Sequence, residues 1–168
     1  MEIINSTIED IDIIFSLYDA GTILQKKAKQ TYWQGFKRTL IENEIQEGRL
    51  WKIVVDQQIV CVFTITFQDP FIWKEKDKDP SVYIHRIATH PDFRGNGYVK
   101  KIVAWSKDYA AEHHKQFVRM DTGSGNDKLN NYYISCGFNY LGVVPTGDAP
   151  ELPAHYRGGS SSLFEIAL

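Results

Sequence analysis

The chain has 168 residues, of which 43% are hydrophobic and 24% charged, a composition typical of one globular domain with a sizeable core. A net charge of −2 and a pI of about 6.2 argue against a nucleic-acid partner. No apolar run approaches the roughly 20 residues that a membrane span needs, and the acidic N-terminus lacks the basic segment of a secretory signal. Two cysteines, Cys61 and Cys136, are too few for a disulfide framework, so we expect free thiols, a cytoplasmic location and a single domain over residues 1–168.

The first half of the chain alternates segments typical of strands and helices. Ser6 and Glu9 have the spacing of a capping box, which predicts that a helix begins there after a short strand at residues 2–5. Apolar residues then recur at helical spacing as far as Tyr18, and a similar pattern predicts a second helix over residues 30–46. The remaining predicted elements of this half are a hairpin of strands at 50–55 and 59–67 and a charged, solvated loop at 69–80.

The second half contains more predicted strands than helices. Its elements are a strand at 82–89, a helix at 97–114, a strand at 116–121, a helix at 127–136 that ends at Gly137, and strands at 138–144 and 161–168 separated by a Gly/Pro loop. Because strands outnumber helices and hairpin connections dominate the first half, we expect an α+β fold built on a mixed sheet.

A glycine-bearing loop joins the strand at 82–89 to the long helix that follows it. The first N–H groups of a helix have no partner within the helix and carry the positive end of its dipole, so a phosphate can bind there. Gly95 and Gly97 allow the backbone to approach a ligand closely, and Arg94 adds a positive charge. The residues after Gly97 fit neither the dinucleotide-binding pattern nor that of the nucleotide triphosphatases. A tight turn without a ligand is the alternative.

The same loop carries a resemblance to a known family. The run from Ile87 to Gly97, IATHPDFRGNG, resembles motif A of the GNAT N-acetyltransferases, and the chain departs from that motif only at its last position, Val99. The family's second landmark, Asn-x6-Tyr-x3-Gly-Phe, is resembled by the segment that begins at Asn126 and contains Tyr133. The two landmarks occur in the expected order with a predicted strand between them.

The resemblance, which covers roughly residues 82–143, implies a fold and a donor site. The fold is a layered α/β/α arrangement with a six- to seven-stranded, mostly antiparallel sheet, helices on both faces, and a cleft for acetyl-CoA beside the strand at 82–89. The implied pyrophosphate contacts are the backbone N–H groups of Arg94, Gly95, Asn96, Gly97, Tyr98 and Val99, and the implied pantetheine contacts are Ile87, Ala88 and Thr89. An open strand edge suits that arm, because its amides can pair with the exposed N–H and C=O groups. No metal is implied.

Asn126 and Tyr133 have implied roles at the donor. In the family, the asparagine binds the cofactor arm, and the tyrosine bonds the sulfur and acts as general acid. A phenol with a pKa of about 10 can donate a proton to the thiolate of CoA as it leaves. Each residue also has a structural alternative, because Asn126 can cap a helix and Tyr133 lies on an apolar helical stripe.

The attacking amine must lose a proton, since an alkylammonium is almost fully protonated near pH 7. Strand alternation is expected to place Tyr83, His85, Ile87 and Thr89 on one face, and His85 is our candidate for the base. Histidines on the same strand of some arylalkylamine members of the family resemble it. A water chain, or a purely structural histidine, is the alternative.

Aromatic residues are concentrated where the acceptor is expected to bind, between the first two helices, the hairpin loops and the C-terminal segment. These residues are Tyr18, Tyr32, Trp33, Phe36, Trp73, His155 and Tyr156. They could form an aromatic wall for an amine, but the same residues are typical of a packed core.

The predicted function is transfer of an acetyl group from acetyl-CoA to a primary amine by direct attack in a ternary complex. No acetyl-enzyme is expected, because neither cysteine has a histidine beside it in sequence. Two alternatives are a CoA-binding sensor or interaction module with little turnover, and an acyltransferase that uses another acyl-CoA. The acceptor is expected to be a small-molecule or peptide amine, with no nucleic acid or membrane partner and with a homodimer left open.

Overall fold

The computed structural model describes all 168 residues, which form seven strands and five helices joined by turns and short 3₁₀ segments. The strands are β1 (Glu2–Asn5), β2 (Leu50–Val55), β3 (Gln58–Thr66), β4 (Ser81–Thr89), β5 (Phe117–Gly123), β6 (Asn139–Pro145) and β7 (Ser160–Ala167). The helices are α1 (Ile11–Lys27), α2 (Arg38–Gln46), α3 (Pro70–Trp73), α4 (Tyr98–Glu112) and α5 (Asp127–Ser135). None of the helices combines the length and the apolar character that crossing a membrane requires.

The strands form one sheet in the order β1-β2-β3-β4-β5-β7-β6. The β4 and β5 strands are parallel, whereas the pairs β1–β2, β2–β3, β5–β7 and β6–β7 are antiparallel. The predicted α+β class, with a seven-stranded mixed sheet, is therefore confirmed.

The chain divides into two compact units. The first consists of Met1–Ile65 and His85–Tyr98, and the second of Thr66–Ile84 and Val99–Leu168. The boundaries between the units fall within β4 and at the start of α4, so each of these two elements has residues in both units.

The first unit has its core beneath α1. Ile14, Leu17 and Tyr18 recur at helical spacing along one face of that helix and are at most 2% exposed. They pack in a cluster with Leu50 of β2 and Val62 of β3. Apolar residues of the two strands thus cover the apolar stripe of the helix.

The prediction of a helix over residues 30–46 is wrong in its first part, because α2 begins only at Arg38. Trp33 instead lies against α1, where its backbone N–H donates to Gln25 Oε1 at 2.9 Å. Gly21 makes room for the indole, since a Cβ at that position would lie 2.7 Å from a ring atom of Trp33. Gly35 has a φ of 90°, which a continuing right-handed helix does not allow.

Two local predictions in the first unit need small corrections. The capping carboxylate is Asp10 rather than Glu9, because Ser6 continues the pairing of β1 and donates its N–H to Leu50 O at 2.9 Å. Thr7 N–H then donates to Asp10 Oδ2 at 2.7 Å. The predicted hairpin of β2 and β3 is confirmed with a tighter turn of two residues, Asp56 and Gln57, both of which have positive φ.

The second unit overturns the prediction of a solvated loop at residues 69–80. This stretch contains α3 and a 3₁₀ segment, Lys74–Lys78, and Trp73 is only 3% exposed. Trp73 packs with Tyr83, Leu152 and Leu163 in a buried cluster. The charged residues that follow it had suggested a solvated loop, but the fold buries the apolar residues that precede them.

Arg119 of β5 is fully buried in the same unit and is surrounded by acceptors. Its Nε donates to Glu165 Oε2 at 2.8 Å and its Nη2 to Asp79 Oδ2 at 2.7 Å. Its Nη1 donates to the carbonyl of Lys76 at 2.5 Å and to the hydroxyl of Tyr83 at 3.3 Å. The guanidinium also lies 4.8 Å from the Trp73 ring centroid, so the cation is paired and stacked at once.

Candidate functional site

The loop between β4 and α4 has the backbone that its glycines predict. Gly95 has a φ of 83° and Gly97 a φ of 70°, which are left-handed values that favour glycine. A Cβ at either position would meet no heavy atom within 4 Å, so the space beside the loop is open. The helix that follows has 15 residues and begins at Tyr98, one residue after the predicted start. A backbone that is open at both glycines thus leads directly to the positive end of a long helix.

The polar side chains of this loop form bonds within the first unit. Asn96 Nδ2 donates to Phe93 O at 2.8 Å and holds the turn closed. Arg94 is exposed, and its Nη2 donates to the carbonyl of Ala20 in α1 at 3.2 Å. Tyr98 is only 6% exposed, so its side chain packs inward. Only the backbone of Tyr98 can therefore serve a ligand at the helix start.

The second half of β4 holds the residues predicted to bind the pantetheine arm. The parallel register with β5 covers Ser81–Ile84, and the strand then runs on to Thr89. Ala88 is 2% exposed and packs in the cluster with Tyr18. The Thr89 hydroxyl donates to Cys61 Sγ at 3.4 Å. Contacts from these residues to a ligand would therefore come from the backbone.

Simple alternation along β4, predicted from the sequence, is wrong at Arg86. Its φ of 50° lies in the left-handed region, which a regular strand does not use, so residues on either side of it do not follow one alternating face. The Arg86 guanidinium binds Glu44, which is 3% exposed, and donates to the Thr64 hydroxyl at 3.3 Å. It also lies 5.0 Å from the ring centroid of Phe36. These contacts hold the irregular backbone in place.

His85 lies immediately before Arg86 and is partly buried. Burial lowers the pKa of His85 to about 3, and the positive charges of Arg86 and Arg49 act in the same direction. The imidazole is therefore neutral at pH 7, but it is a weak base for a proton from an alkylammonium. The proposed role of His85 stays a prediction, and its pKa argues against it.

Asn126 and Tyr133 belong to the second unit. Asn126 Oδ1 accepts the backbone N–H of Leu129 at 3.0 Å, so the asparagine caps α5 with its carbonyl oxygen. The amide NH₂ of the same side chain is not used by that bond. Tyr133 is partly buried and packs edge-on against Phe164, with ring centroids 5.3 Å apart. Burial is the largest cause of the raised pKa of Tyr133, so the phenol keeps its proton at neutral pH.

Two carboxyl groups that the sequence did not single out lie together in the second unit. Asp69 precedes α3, Asp121 lies in β5, and a carboxylate oxygen of each lies within 4.8 Å of the other. Asp69 was assigned to a loop and Asp121 to the end of a strand, so no local pattern joined them. The only sequence signal was Asp69 directly before a proline, at the start of α3.

The predicted acceptor aromatics separate into two groups. In the first unit, Tyr18, Tyr32, Trp33 and Phe36 line a cavity of about 570 Å³, together with Phe15, Asp19, Thr22, Lys26, Gln34 and Gly35. Tyr18 is 2% exposed, so it forms part of the core as well as the cavity wall. In the second unit, Tyr156 packs on the buried cluster that contains Trp73, and His155 stacks on Tyr156 with ring centroids 4.4 Å apart.

The two cysteines are free thiols in buried positions. Burial raises the pKa of the Cys61 thiol to about 11, so it carries almost no thiolate at neutral pH. Cys136 is 9% exposed at the end of α5. A buried thiol is a poor nucleophile for a thioester, which agrees with the predicted absence of an acetyl-enzyme.

Comparison with known proteins gives a consistent result. Residues 16–138 match a family model described as the acetyltransferase (GNAT) family. A curated relative, the uncharacterized N-acetyltransferase YesJ of Bacillus subtilis (strain 168), is 22% identical over 111 residues. The match covers 64% of this chain and 62% of the relative, so it spans less than two thirds of that protein.

Solved structures show the same fold over nearly the whole chain. A GNAT-family acetyltransferase from Listeria monocytogenes 4b F2365 superimposes with a TM-score of 0.77 at 21% identity, covering 99% of this chain and 94% of that one. A spermidine N-acetyltransferase SpeG variant from Vibrio cholerae superimposes with a TM-score of 0.66 at 13% identity, covering 99% and 95%.

Proposed function

The chain belongs to the GNAT acetyltransferase family, and we propose that it transfers an acetyl group from acetyl-CoA to a primary amine by direct attack in a ternary complex. The observation that carries this proposal is the open loop at Gly95 and Gly97, which leads into the N-terminus of α4. Backbone amides and a helix dipole at that point suit a pyrophosphate, and the two glycines place no side chain beside those amides.

The donor contacts follow from the positions described above. The pyrophosphate of acetyl-CoA binds the backbone amides of the segment from Arg94 to Val99. Its pantetheine amides pair with the β4 backbone at Ile87, Ala88 and Thr89, which lie past the last residue of β4 in register with β5. The NH₂ group of Asn126 donates to the same arm, since its carbonyl oxygen is already used by the helix cap.

Tyr133 is the proposed general acid. When the amine attacks the thioester carbon, a C–N bond forms and the C–S bond breaks, so negative charge develops on sulfur. A phenol that stays protonated at neutral pH can donate its proton to that sulfur. Direct attack is supported by the buried state of both cysteines, of which Cys61 has a raised pKa.

The acceptor is a small-molecule or peptide amine. The aromatic cavity of the first unit supplies ring faces that attract an ammonium or pack on an apolar chain. A structural neighbour is a spermidine N-acetyltransferase, so spermidine is one example of an amine acceptor used by a protein of this fold. We place the reaction in the cytoplasm, where acetyl-CoA is available and buried thiols such as Cys61 stay reduced.

The test is release of free thiol from acetyl-CoA in the presence of a panel of primary amines, with wild type compared with Tyr133→Phe. We expect kcat to fall roughly 100-fold or more in the variant, since general acids contribute about that much, with CoA affinity retained in calorimetry. Tyr132→Phe is the matched control, because the neighbouring ring is 39% exposed and its loss of a hydroxyl should leave kcat unchanged.

Three outcomes would count against the proposal. Binding of CoA without turnover of any amine would favour a binding module instead of an enzyme. Faster turnover with propionyl-CoA or succinyl-CoA than with acetyl-CoA would identify a different acyl donor. Full activity in Tyr133→Phe would remove that residue from the mechanism.

A further inference from the structure

The ion pair between Arg86 and Glu44 is the strongest unexplained feature of the first unit. Glu44 is 3% exposed, and its Oε1 accepts from Arg86 Nη2. The other oxygen of this carboxylate, Oε2, and the other terminal nitrogen of the guanidinium, Nη1, are both buried and have no hydrogen-bond partner. Buried polar atoms normally have partners, so the pair leaves one acceptor and one donor for a polar group that the chain does not supply.

The pair stands against the aromatic cavity of the first unit. The Arg86 guanidinium lies 5.0 Å from the ring centroid of Phe36 and 5.8 Å from that of Tyr18, and both rings line the cavity. The Tyr18 hydroxyl is a third buried atom without a hydrogen-bond partner. Phe36 belongs to residues 28–37, which form neither helix nor strand. A ligand in the cavity therefore reaches the ion pair when that ring turns aside.

Arg86 also lies at the reacting end of the proposed donor site. There the pantetheine arm runs from the phosphate loop back along Thr89, Ala88 and Ile87, and Arg86 is the next residue of β4. The thioester at the end of that arm therefore comes close to Arg86. A group on the carbon next to the attacking amine is then within reach of the ion pair, while a side chain on the same carbon extends into the cavity.

The charges around the pair decide which polar group fits it. Arg86 and Glu44 balance each other, and Arg49, whose Nη1 lies 3.7 Å from Glu44, is balanced by Glu47 at 2.5 Å. A carboxylate only accepts hydrogen bonds, so it would leave Glu44 Oε2 unpaired and add a charge that nothing opposes. A carboxamide has both functions, because its C=O accepts from Arg86 Nη1 and its N–H donates to Glu44 Oε2.

We propose that the Arg86–Glu44 pair selects acceptors that carry a carboxamide on the carbon next to the reacting amine, as a peptide N-terminus or an amino-acid amide does. This inference rests on the proposed acetyl transfer and narrows its acceptor to one class. The side chain on that carbon packs on Tyr18, Trp33 and Phe36 of the cavity, which favours an aromatic or large apolar group there. Arg86 and Glu44 determine specificity and take no proton.

The experiment uses four acceptors that share an amine and a phenyl ring and differ in the group on the neighbouring carbon. They are 2-phenylethylamine, L-phenylalanine, L-phenylalaninamide and L-phenylalanyl-glycinamide. The readouts are kcat/KM for thiol release from acetyl-CoA and the calorimetric Kd of each acceptor for the protein saturated with CoA, where no transfer occurs. Each acceptor is compared between wild type and variant, so the differences among the pKa values of the four amines cancel.

Glu44→Gln is the sharpest variant. Arg86 has only donors, so the remaining side-chain oxygen turns toward it and an NH₂ group takes the place of Oε2. The free acceptor thus becomes a free donor, and one negative charge is lost. We expect kcat/KM for both amides to fall roughly 10- to 100-fold and that for L-phenylalanine to rise, whereas 2-phenylethylamine changes less than about 3-fold. A residue with a merely structural role would not shift the preference from amide to carboxylate.

Glu42→Gln is the matched control and should leave all four values unchanged, because Glu42 lies on the same helix, pairs with Arg38 and is 39% exposed. Arg86→Met removes the free donor and should abolish the advantage of both amides over 2-phenylethylamine. It carries the test if Glu44→Gln does not fold, and thermal unfolding is measured for each variant. Of the two amides, the better acceptor identifies the source as a peptide N-terminus or a free amino-acid amide.

A Glu44→Gln variant that lowers kcat/KM equally for all four acceptors, or leaves it unchanged for all of them, would overturn the inference while leaving acetyl transfer intact. If the wild type acetylates no amine, the proposed function fails, and the titrations of the CoA complex still test the pair. Tighter binding of the amides than of 2-phenylethylamine, lost in Arg86→Met, supports selection by the pair, and equal binding of all four acceptors contradicts it.

Discussion

Each unit has an arginine on a central strand, the partly buried Arg86 on β4 and the fully buried Arg119 on β5, but the two guanidiniums are satisfied to different degrees. Arg119 is fully buried and lies between two carboxylates, Asp79 and Glu165, with a carbonyl and a hydroxyl completing its bonds. Arg86 has one close carboxylate, Glu44, and its Nη1 is buried without a partner. The Oε2 atom of Glu44 is also buried without a hydrogen-bond partner.

The difference separates a closed network from an open one. A buried ion pair in which every donor and acceptor is used holds its elements in one arrangement, and removing one member leaves uncompensated charge. An under-satisfied pair keeps bonding capacity that a ligand or water can use. We therefore expect the Arg119 network to serve stability, whereas the Arg86 network, next to His85 and stacked on the cavity residue Phe36, can respond to a ligand.

The largest expected effect is the loss of stability caused by Arg119→Met, which removes the cation at the centre of the closed network. We expect the free energy of unfolding to fall by about 3–5 kcal/mol, because the largely buried Glu165 loses its cation and the bonds from the fully buried guanidinium are lost with it. Urea denaturation monitored by fluorescence measures it. Lys107→Met on the exposed part of α4 is the control and should change stability by less than about 0.5 kcal/mol. A loss below about 1 kcal/mol for Arg119→Met would contradict a structural role.

A smaller effect is expected for Arg86→Met. Arg49 Nη1 lies 3.7 Å from Glu44 and remains to compensate the carboxylate, while a methionine can still pack on the ring of Phe36. The expected loss is about 1–3 kcal/mol in the same denaturation experiment. Arg38→Met, which breaks an exposed pair with Glu42, provides the baseline. If Arg86→Met proved as damaging as Arg119→Met, the contrast between the two networks would be lost.

Taken over a single pH unit, the smallest effect concerns the carboxyl pair of the second unit. Burial and the charges of Asp121 and Asp77 raise the pKa of Asp69 from 3.8 to about 8, so the folded chain binds more protons than the unfolded chain between those values. Stability should therefore decrease as pH rises through that window, by at most about 1.4 kcal/mol per pH unit for one group. Thermal unfolding at pH 5 to 8 measures this slope, and Asp69→Asn should flatten it.

Asp10 in the first unit has a pKa shift of the opposite sign and provides an internal comparison. Burial raises the pKa of Asp10, but the bonds to Lys52 and Thr7 outweigh burial, and the net pKa is lowered. The stability that Asp10 contributes is present above its ordinary pKa of 3.8 and is lost only as pH falls below that value. An Asp10→Asn variant should thus leave the slope between pH 5 and 8 unchanged. A slope that responds to Asp10→Asn and not to Asp69→Asn would reverse the assignment.

Local patterns predicted the strands, α4 and α5 well, because alternation, helical spacing and glycine stops act within a few residues. The failures have long-range causes. Trp33 leaves the predicted helix because Gly21 opens a place for it on α1, and Trp73 leaves the predicted loop because Arg119 and Tyr83 cover it. Neither contact is visible in a sequence window.

The candidate site divides in the same way. The phosphate loop is a short contiguous motif, so its residues could be named from the sequence. The left-handed Arg86 depends on Glu44, and the carboxyl pair brings Asp69 beside Asp121, so both arise only when distant segments fold together. Because these segments lie far apart in the sequence, neither feature has a local sequence signature.

The bond from Arg94 to the carbonyl of Ala20 has a consequence for the order of events. A phosphate that recruits this guanidinium must first detach it from α1, so part of the attraction is offset by the tether it breaks. The same helix forms one wall of the aromatic cavity. Loading the donor therefore releases a restraint beside the proposed acceptor cavity, and we expect steady-state kinetics to show acetyl-CoA adding before the amine.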